Sequence, residues 1–160
     1  MKFPRPKPVP DGYHTLTPML VVKDARAAID FYQRALGATE RARFADPNGT
    51  IMHAELTIGD SLLMLAGESP SAGFLAPVSL SGSSSSLYVY VEDVDGVVDQ
   101  AVKAGAHVTM PVGDMFWGDR CGTVRDPSGH TWTVATHKED LTPEQIRQRG
   151  EQFFASLAQR

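Results

Sequence analysis

Val91-Glu92-Asp93-Val94-Asp95-Gly96-Val97-Val98-Asp99 is the most informative run of the chain, because its pattern has already occurred once. Val22-Lys23-Asp24 with Ala28-Ile29-Asp30 matches Val91-Glu92-Asp93 with Val97-Val98-Asp99 at the same internal spacing. In each copy a strand ends, an aspartate caps a helix, and apolar residues recur at helical spacing. Three strand signals follow each helix, so the chain reads as an internal repeat of strand, helix and three strands.

Outward from the first copy, Thr15 to Val22 reads as a strand interrupted by Pro18, which lacks a ladder donor and suits a sheet edge. Asp24 caps a helix with Ala28, Ile29, Tyr32, Ala35 and Leu36 inward, and Gly37 ends it. Strands around 41–45 and 50–58 flank Asp46-Pro47-Asn48-Gly49, a hairpin signal, and a strand over 61–66 follows the Gly59-Asp60 turn. Met52, Ala54, Leu56 and Ile58 alternate with Ile51, His53, Glu55 and Thr57, which predicts one oily face and puts His53 and Glu55 together on the other. From Gly67 to Ser85 the composition turns to Ser, Gly and Pro, expected of a loop or linker without packed elements.

In the second copy 87–91 is the strand, Asp93 or Asp95 the cap, Val97, Val98, Ala101 and Val102 the inward face, and Gly105 the stop. A strand over 107–110 leads to a loop carrying Phe116, Trp117, Asp119 and Arg120, then a hairpin turning at Asp126-Pro127-Ser128-Gly129. Thr142-Pro143-Glu144-Gln145 is a capping box, and Ile146, Phe153, Phe154 and Leu157 give the following helix an apolar stripe that is expected to dock on its own domain. The expected organisation is an extended arm over 1–12, module one over 13–67, a linker over 68–85, module two over 86–140, and a C-terminal helix over 141–160.

The 160 residues carry a net charge of -4 from interspersed acids and bases. With no basic stripe, nucleic acid and anionic membrane surfaces are excluded as expected partners. Cys121 is the only cysteine, so an internal disulfide and a multi-cysteine zinc site are excluded. It reads as a buried strand thiol rather than a nucleophile. No apolar run spans a bilayer, and the proline-rich, basic start has no signal-peptide core, so a cytoplasmic location is expected.

The repeat, with Thr17-Pro18-Met19-Leu20, Phe31-Tyr32, Leu36-Gly37-Ala38, His53-Ala54-Glu55-Leu56, Gly59-Asp60-Ser61, Phe116-Trp117-Gly118-Asp119-Arg120, Asp126-Pro127 and Ala135-Thr136-His137, resembles the vicinal oxygen chelate superfamily of glyoxalase I, bleomycin and fosfomycin resistance proteins and extradiol dioxygenases. The order of these pieces over residues 13–137 is similar to its PhnB-like branch. The resemblance implies an α+β fold of paired βαβββ modules, forming a curved mixed-sheet cup with helices outside and the ligand site within. It also implies a homodimer. Metal-dependent members place a His, Gln or Glu ligand on the first and last strand of each module. Carried over by spacing, those places fall on Thr17, Met64, Ser86 and Thr133, none a good ligand for a divalent ion. No superfamily metal or other cofactor is therefore expected.

The expected cup lining is Thr17, Met19, His53, Glu55, Met64, Ser86, Tyr88, Tyr90 and Thr133, with Phe116, Trp117 and Arg120 at the lip. Aromatics, methionines and a few polar groups suit a small, partly aromatic or apolar organic molecule. Met19 and Met64 can equally fill the floor as core, and Trp117 can pack under its own loop. His53 and Glu55 are the candidate general base and its orienter, or a satisfied polar pair. Asp119-Arg120 reads as a loop-fixing ion pair, with Arg120 otherwise free to grip an anion. A metal site built from His14, His130 and His137 with His53 is a further alternative. Two functions stay open: a bleomycin-resistance-like binding protein, and an enzyme using either metal-free acid–base chemistry or a metal-dependent lyase or dioxygenase reaction.

Overall fold

The protein is described here as a computed structural model covering residues 5–158. It divides into two compact units, Met1–Gly82 and Ser83–Arg160. Residues 1–4 of the expected arm lie outside the described residues, and Arg5 to Gly12 are exposed.

The first unit runs β1 (Met19–Val22), α1 (Ala25–Leu36), β2 (Thr39–Ala45), β3 (Ile51–Ile58) and β4 (Ser61–Gly67), with the sheet ordered β1-β4-β3-β2. β1 is an edge strand parallel to β4, and the other pairings are antiparallel. The Asp24 carboxylate accepts the Ala27 N–H and starts α1. Gly37, at φ 64°, ends it in the left-handed conformation. Ala28, Ile29, Tyr32 and Ala35 of α1 are buried, as are Val22, Ala54, Leu56 and Leu65 of the sheet. Burying these apolar side chains is the main force holding helix to sheet.

Three expectations need correction in this unit. β1 starts at Met19, because Thr15 to Pro18 form a turn in which the Thr17 hydroxyl donates to the His14 carbonyl at 3.0 Å. Met52 is 48% exposed and Ile51 is buried instead, since a register shift between Phe44 and Ala45 breaks the alternation at the start of β3. The 68–85 stretch is not unstructured: a 3-10 turn over Pro70–Ala72 and a short helix α2 (Pro77–Leu80) are tied back by the Glu68 carboxylate, which accepts the Ala76 N–H at 2.7 Å.

The second unit repeats the plan with β5 (Ser86–Tyr90), α3 (Val94–Ala104), β6 (His107–Asp114), β7 (Asp119–Arg125) and β8 (Thr131–His137), ordered β5-β8-β7-β6. β5 is parallel to β8. Asp93, not Asp95, is the cap of α3. That frame turns Val94, Val98 and Ala101 inward and leaves the expected core residue Val102 44% exposed. Thr136 links sheet and helix: its hydroxyl donates to the Val91 carbonyl and accepts the Val94 N–H. At the Asp126 turn one carboxylate oxygen accepts the Ser128 and His130 N–H groups, the other accepts the Trp132 indole at 3.0 Å, and Gly129 takes φ 91°.

The C-terminal helix α4 (Pro143–Leu157) begins with the complete capping box at Thr142 and Gln145. The architecture is α+β, two four-stranded mixed sheets with a C-terminal helix. Among the described residues no helix is long and apolar enough to cross a membrane.

Candidate functional site

Each sheet has one face against its helix and one face free of it. In the first unit the register aligns Met19, Met64 and Glu55 in one row across β1, β4 and β3, with His53 two residues along on the same face. Tyr13 reaches this face from the segment before β1, and its hydroxyl donates to Glu55 Oε1 at 2.5 Å. The Arg41 guanidinium lies over the Tyr13 ring, 5.1 Å from its centre. The hydrogen bond to Glu55, then burial, push the Tyr13 phenol above its ordinary pKa. His53 Nε2 stands 3.6 Å from that same Glu55 oxygen, an ion-pair distance longer than a hydrogen bond. Met19 is 48% exposed, so it is not core.

In the second unit Tyr88 lies opposite Thr133, whose hydroxyl is 3.1 Å from that of Thr123. Tyr88 and Tyr90, two apart on β5, share the helix-free face with ring centres 5.2 Å apart. Both hydroxyls donate to Oδ2 of Asp119, at 2.9 and 3.0 Å, and the Trp117 indole N–H points at the same oxygen from 3.3 Å. His137, opposite Asp119 in the β7–β8 ladder, places Nδ1 2.8 Å from Oδ1, with Nε2 3.0 Å from Asp140.

Burial alone would raise the Asp119 pKa, but the bonds from His137, Tyr88, Tyr90 and Trp117 outweigh it and hold the carboxyl below its ordinary value. Burial and then Asp119 push the Tyr88 phenol far up, while Tyr90 rises mainly through its bond to Asp119. The two carboxylates raise the pKa of His137, Asp119 more than Asp140. Cys121 is buried beneath this face, and burial raises its thiol.

Asp119 was the residue that sequence reasoning misread. Neighbours on a strand point to opposite faces, so Asp119 and Arg120 cannot pair. Arg120 instead makes a bidentate ion pair with Asp95, 2.8 Å for both bonds, and reaches Asp114 at 3.0 Å. Those two acids raise its pKa and occupy its guanidinium. The strand parity that joins Asp119, Cys121 and Thr123 on one face was the available signal. Tyr13 carried none.

Ser86, exposed at the start of β5 opposite Thr131, shares the helix-free face of Tyr88 and Tyr90 by strand parity, whereas Thr17 lies off the sheet in the turn before β1. Phe116 packs on α4, with ring centres 5.6 Å from Phe153 and 6.0 Å from Phe154. Trp117 sits edge-on to Phe116 at 4.9 Å.

The fit to a divalent metal can be tested on the strand pairs themselves. Register pairs Met64 with Met19 rather than Thr17, and Thr133 with Tyr88 rather than Ser86. A thioether pair, and a hydroxyl beside a phenol held protonated by its neighbours, do not suit a hard or borderline ion. The residues at these places do not fit the superfamily metal. Among the described residues no group of three or more His, Cys, Asp or Glu side chains could hold one either. His130 is buried in the Asp126 turn and His137 lies between two carboxylates.

A family model for the "Glyoxalase/Bleomycin resistance protein/Dioxygenase superfamily" matches residues 14–134. An uncharacterized protein of Mycobacterium bovis is 38% identical over 135 residues, 82% of this chain and 89% of that protein. The crystal structure of TioX from Micromonospora sp. ML1 is similar at 30% identity and a TM-score of 0.59, over 81% of this chain and all of that one, 100%. A gene product from Arabidopsis thaliana aligns at 25% identity and a TM-score of 0.62, over 77% of this chain and 98% of that one.

Proposed function

Since the chain belongs to the glyoxalase/bleomycin resistance protein/dioxygenase superfamily, we propose that it is a binding protein for a small, partly aromatic or apolar organic molecule, working without the superfamily metal. The observation that carries this reading is the tyrosine pair of β5. Tyr88 is 47% and Tyr90 62% exposed, their rings 5.2 Å apart on a helix-free sheet face with their hydroxyls tied down. Large exposed rings held in one orientation lose little entropy on stacking with a guest. The half-exposed Met19 and the partly buried Met64 add adaptable apolar surface in the first unit. The order of the motifs, from Thr17-Pro18-Met19-Leu20 to Ala135-Thr136-His137, supports a place in the PhnB-like branch.

A second reading, metal-free acid–base chemistry, is favoured by one observation: Glu55, mostly buried, accepts the Tyr13 hydroxyl hydrogen bond at 2.5 Å while His53 stands 3.6 Å away. One experiment separates the two. A panel of small planar aromatic molecules is titrated against the protein by fluorescence, and each bound molecule is recovered and weighed by mass spectrometry. The binding reading expects saturable binding, recovery unchanged, and an affinity reduced about tenfold by Tyr90→Ala. Absence of saturable binding across the panel would overturn it. Conversion of the guest, lost in His53→Ala and in Glu55→Ala, would establish the second reading.

A further inference from the structure

Three aromatic side chains of the second unit direct their only polar hydrogens to one carboxylate. Tyr88 and Tyr90 donate to Asp119 Oδ2 at 2.9 and 3.0 Å, and Trp117 Nε1 donates to it at 3.3 Å. Asp119 is 4% exposed, whereas the Tyr88 and Tyr90 rings above it are 47% and 62% exposed and the Trp117 ring is partly buried. A phenol has one hydrogen and an indole nitrogen has one. Once these are committed inward, the phenol oxygens show a guest nothing but lone pairs, and the indole shows only its ring. Burial and then Asp119 for Tyr88, and chiefly Asp119 for Tyr90, favour the protonated phenols, which keeps this arrangement intact at neutral pH. His137 completes the carboxylate's shell from the other oxygen, so Asp119 is ionised and needs no partner from a ligand.

We propose that Asp119 is the positioning and specificity-determining residue of the binding face: it fixes Tyr88, Tyr90 and Trp117 as an acceptor-only aromatic platform, selecting planar guests that carry their own N–H donors or positive charge. The inference rests on the binding function proposed above and names the class of guest. Ring faces attract cationic edges through their quadrupole, and phenol lone pairs take N–H donors. An anionic guest of the same shape meets lone pairs and electron-rich ring faces and finds no donor among these three side chains.

The test uses two probes sharing one ring frame, proflavine, a cation with two amino groups, and acridine-9-carboxylate, an anion. Both are titrated by fluorescence against the full chain, its Asp119→Asn variant, and a Tyr88→Phe/Tyr90→Phe double variant. The wild type is expected to bind proflavine at least about tenfold more tightly than the carboxylate. Asp119→Asn replaces an acceptor oxygen by a donor nitrogen and releases a phenol hydrogen, so the ratio should fall toward one. The double variant keeps both rings and the net charge while removing both lone-pair sites, and should lower the ratio even if Asp119→Asn fails to fold. A ratio near one in the wild type, with both probes bound, overturns the platform and leaves the binding function standing. A high ratio that survives in the double variant assigns the preference to overall charge and overturns it too. Failure of both probes to bind overturns the platform, and the binding function falls with it only where the wider aromatic panel also shows no saturable binding.

Discussion

Asp119 stays ionised in a buried position because Tyr88, Tyr90 and Trp117 donate to it and His137 lies against its other oxygen, and the carboxylate in turn raises the His137 pKa. The linkage has two limits. The Asp119 pKa is depressed, so its contribution to stability is full above the ordinary value of 3.8 and is lost as pH falls through the folded-state value. The His137 pKa is raised, so its contribution is full below the ordinary value of 6.5 and is lost as pH rises through the folded-state value. The pair therefore stabilises the fold most between those two values. Thermal melting of wild type and His137→Gln across pH should show its largest gap in that window and a gap that narrows as pH rises above it. A gap independent of pH would mean that His137 acts through packing alone. Little of this was visible in the linear chain: Tyr88, Tyr90 and Trp117 were recognisable as aromatic lining, but the acid that joins them lies about 30 residues from the tyrosines, across β8.

The elements were more legible than their contacts. Aspartate caps, glycine stops and the capping box of α4 are local chemistry, and all appear as read. The 68–85 stretch was illegible because a side-chain bond across eight residues, from the Ala76 N–H to the Glu68 carboxylate, orders it against a composition that favours a free linker. The docking of α4 was legible only as a stripe. Its partner is Phe116, whose ring lies over Gly150, where an added Cβ would stand 3.2 Å from Phe116 Cε2, and whose neighbours include Phe153 and Phe154. A bidentate pair between Arg149 and Glu139, at 3.0 and 2.8 Å, ties the same helix to the segment after β8. That exposed pair contributes little, so the aromatic contact should carry most of the docking. Phe116→Ala should lower stability by about 2 kcal/mol and accelerate amide hydrogen exchange in α4 while leaving β7 and β8 protected. Unchanged exchange in α4 would show that Phe116 does not hold the helix.

At the scale of the whole molecule the repeat was the decisive signal, and the two four-stranded sheets with their parallel first and fourth strands follow it directly. What the repeat could not convey is which strand residues stand opposite one another. A register error of two residues separates Thr17 from Met19 and Ser86 from Tyr88. The chemical conclusion survives the correction, because each module offers a pair without imidazole or carboxylate: Met19 with Met64, and Tyr88 with Thr133. Divalent zinc, nickel or manganese at such places would need a phenolate from Tyr88, and burial with the Asp119 bond opposes that ionisation. A protein whose fold depends on a bound metal loses stability when a chelator removes it, by mass action on the folded state. Here dialysis against EDTA should leave the melting temperature and the affinity for a bound guest unchanged, and elemental analysis of chain purified without nickel should give well under one divalent ion per chain. A melting temperature that falls in EDTA and returns with one added ion would show that a ligand set other than these strand pairs holds a metal, with His53 and Glu55 the first residues to replace.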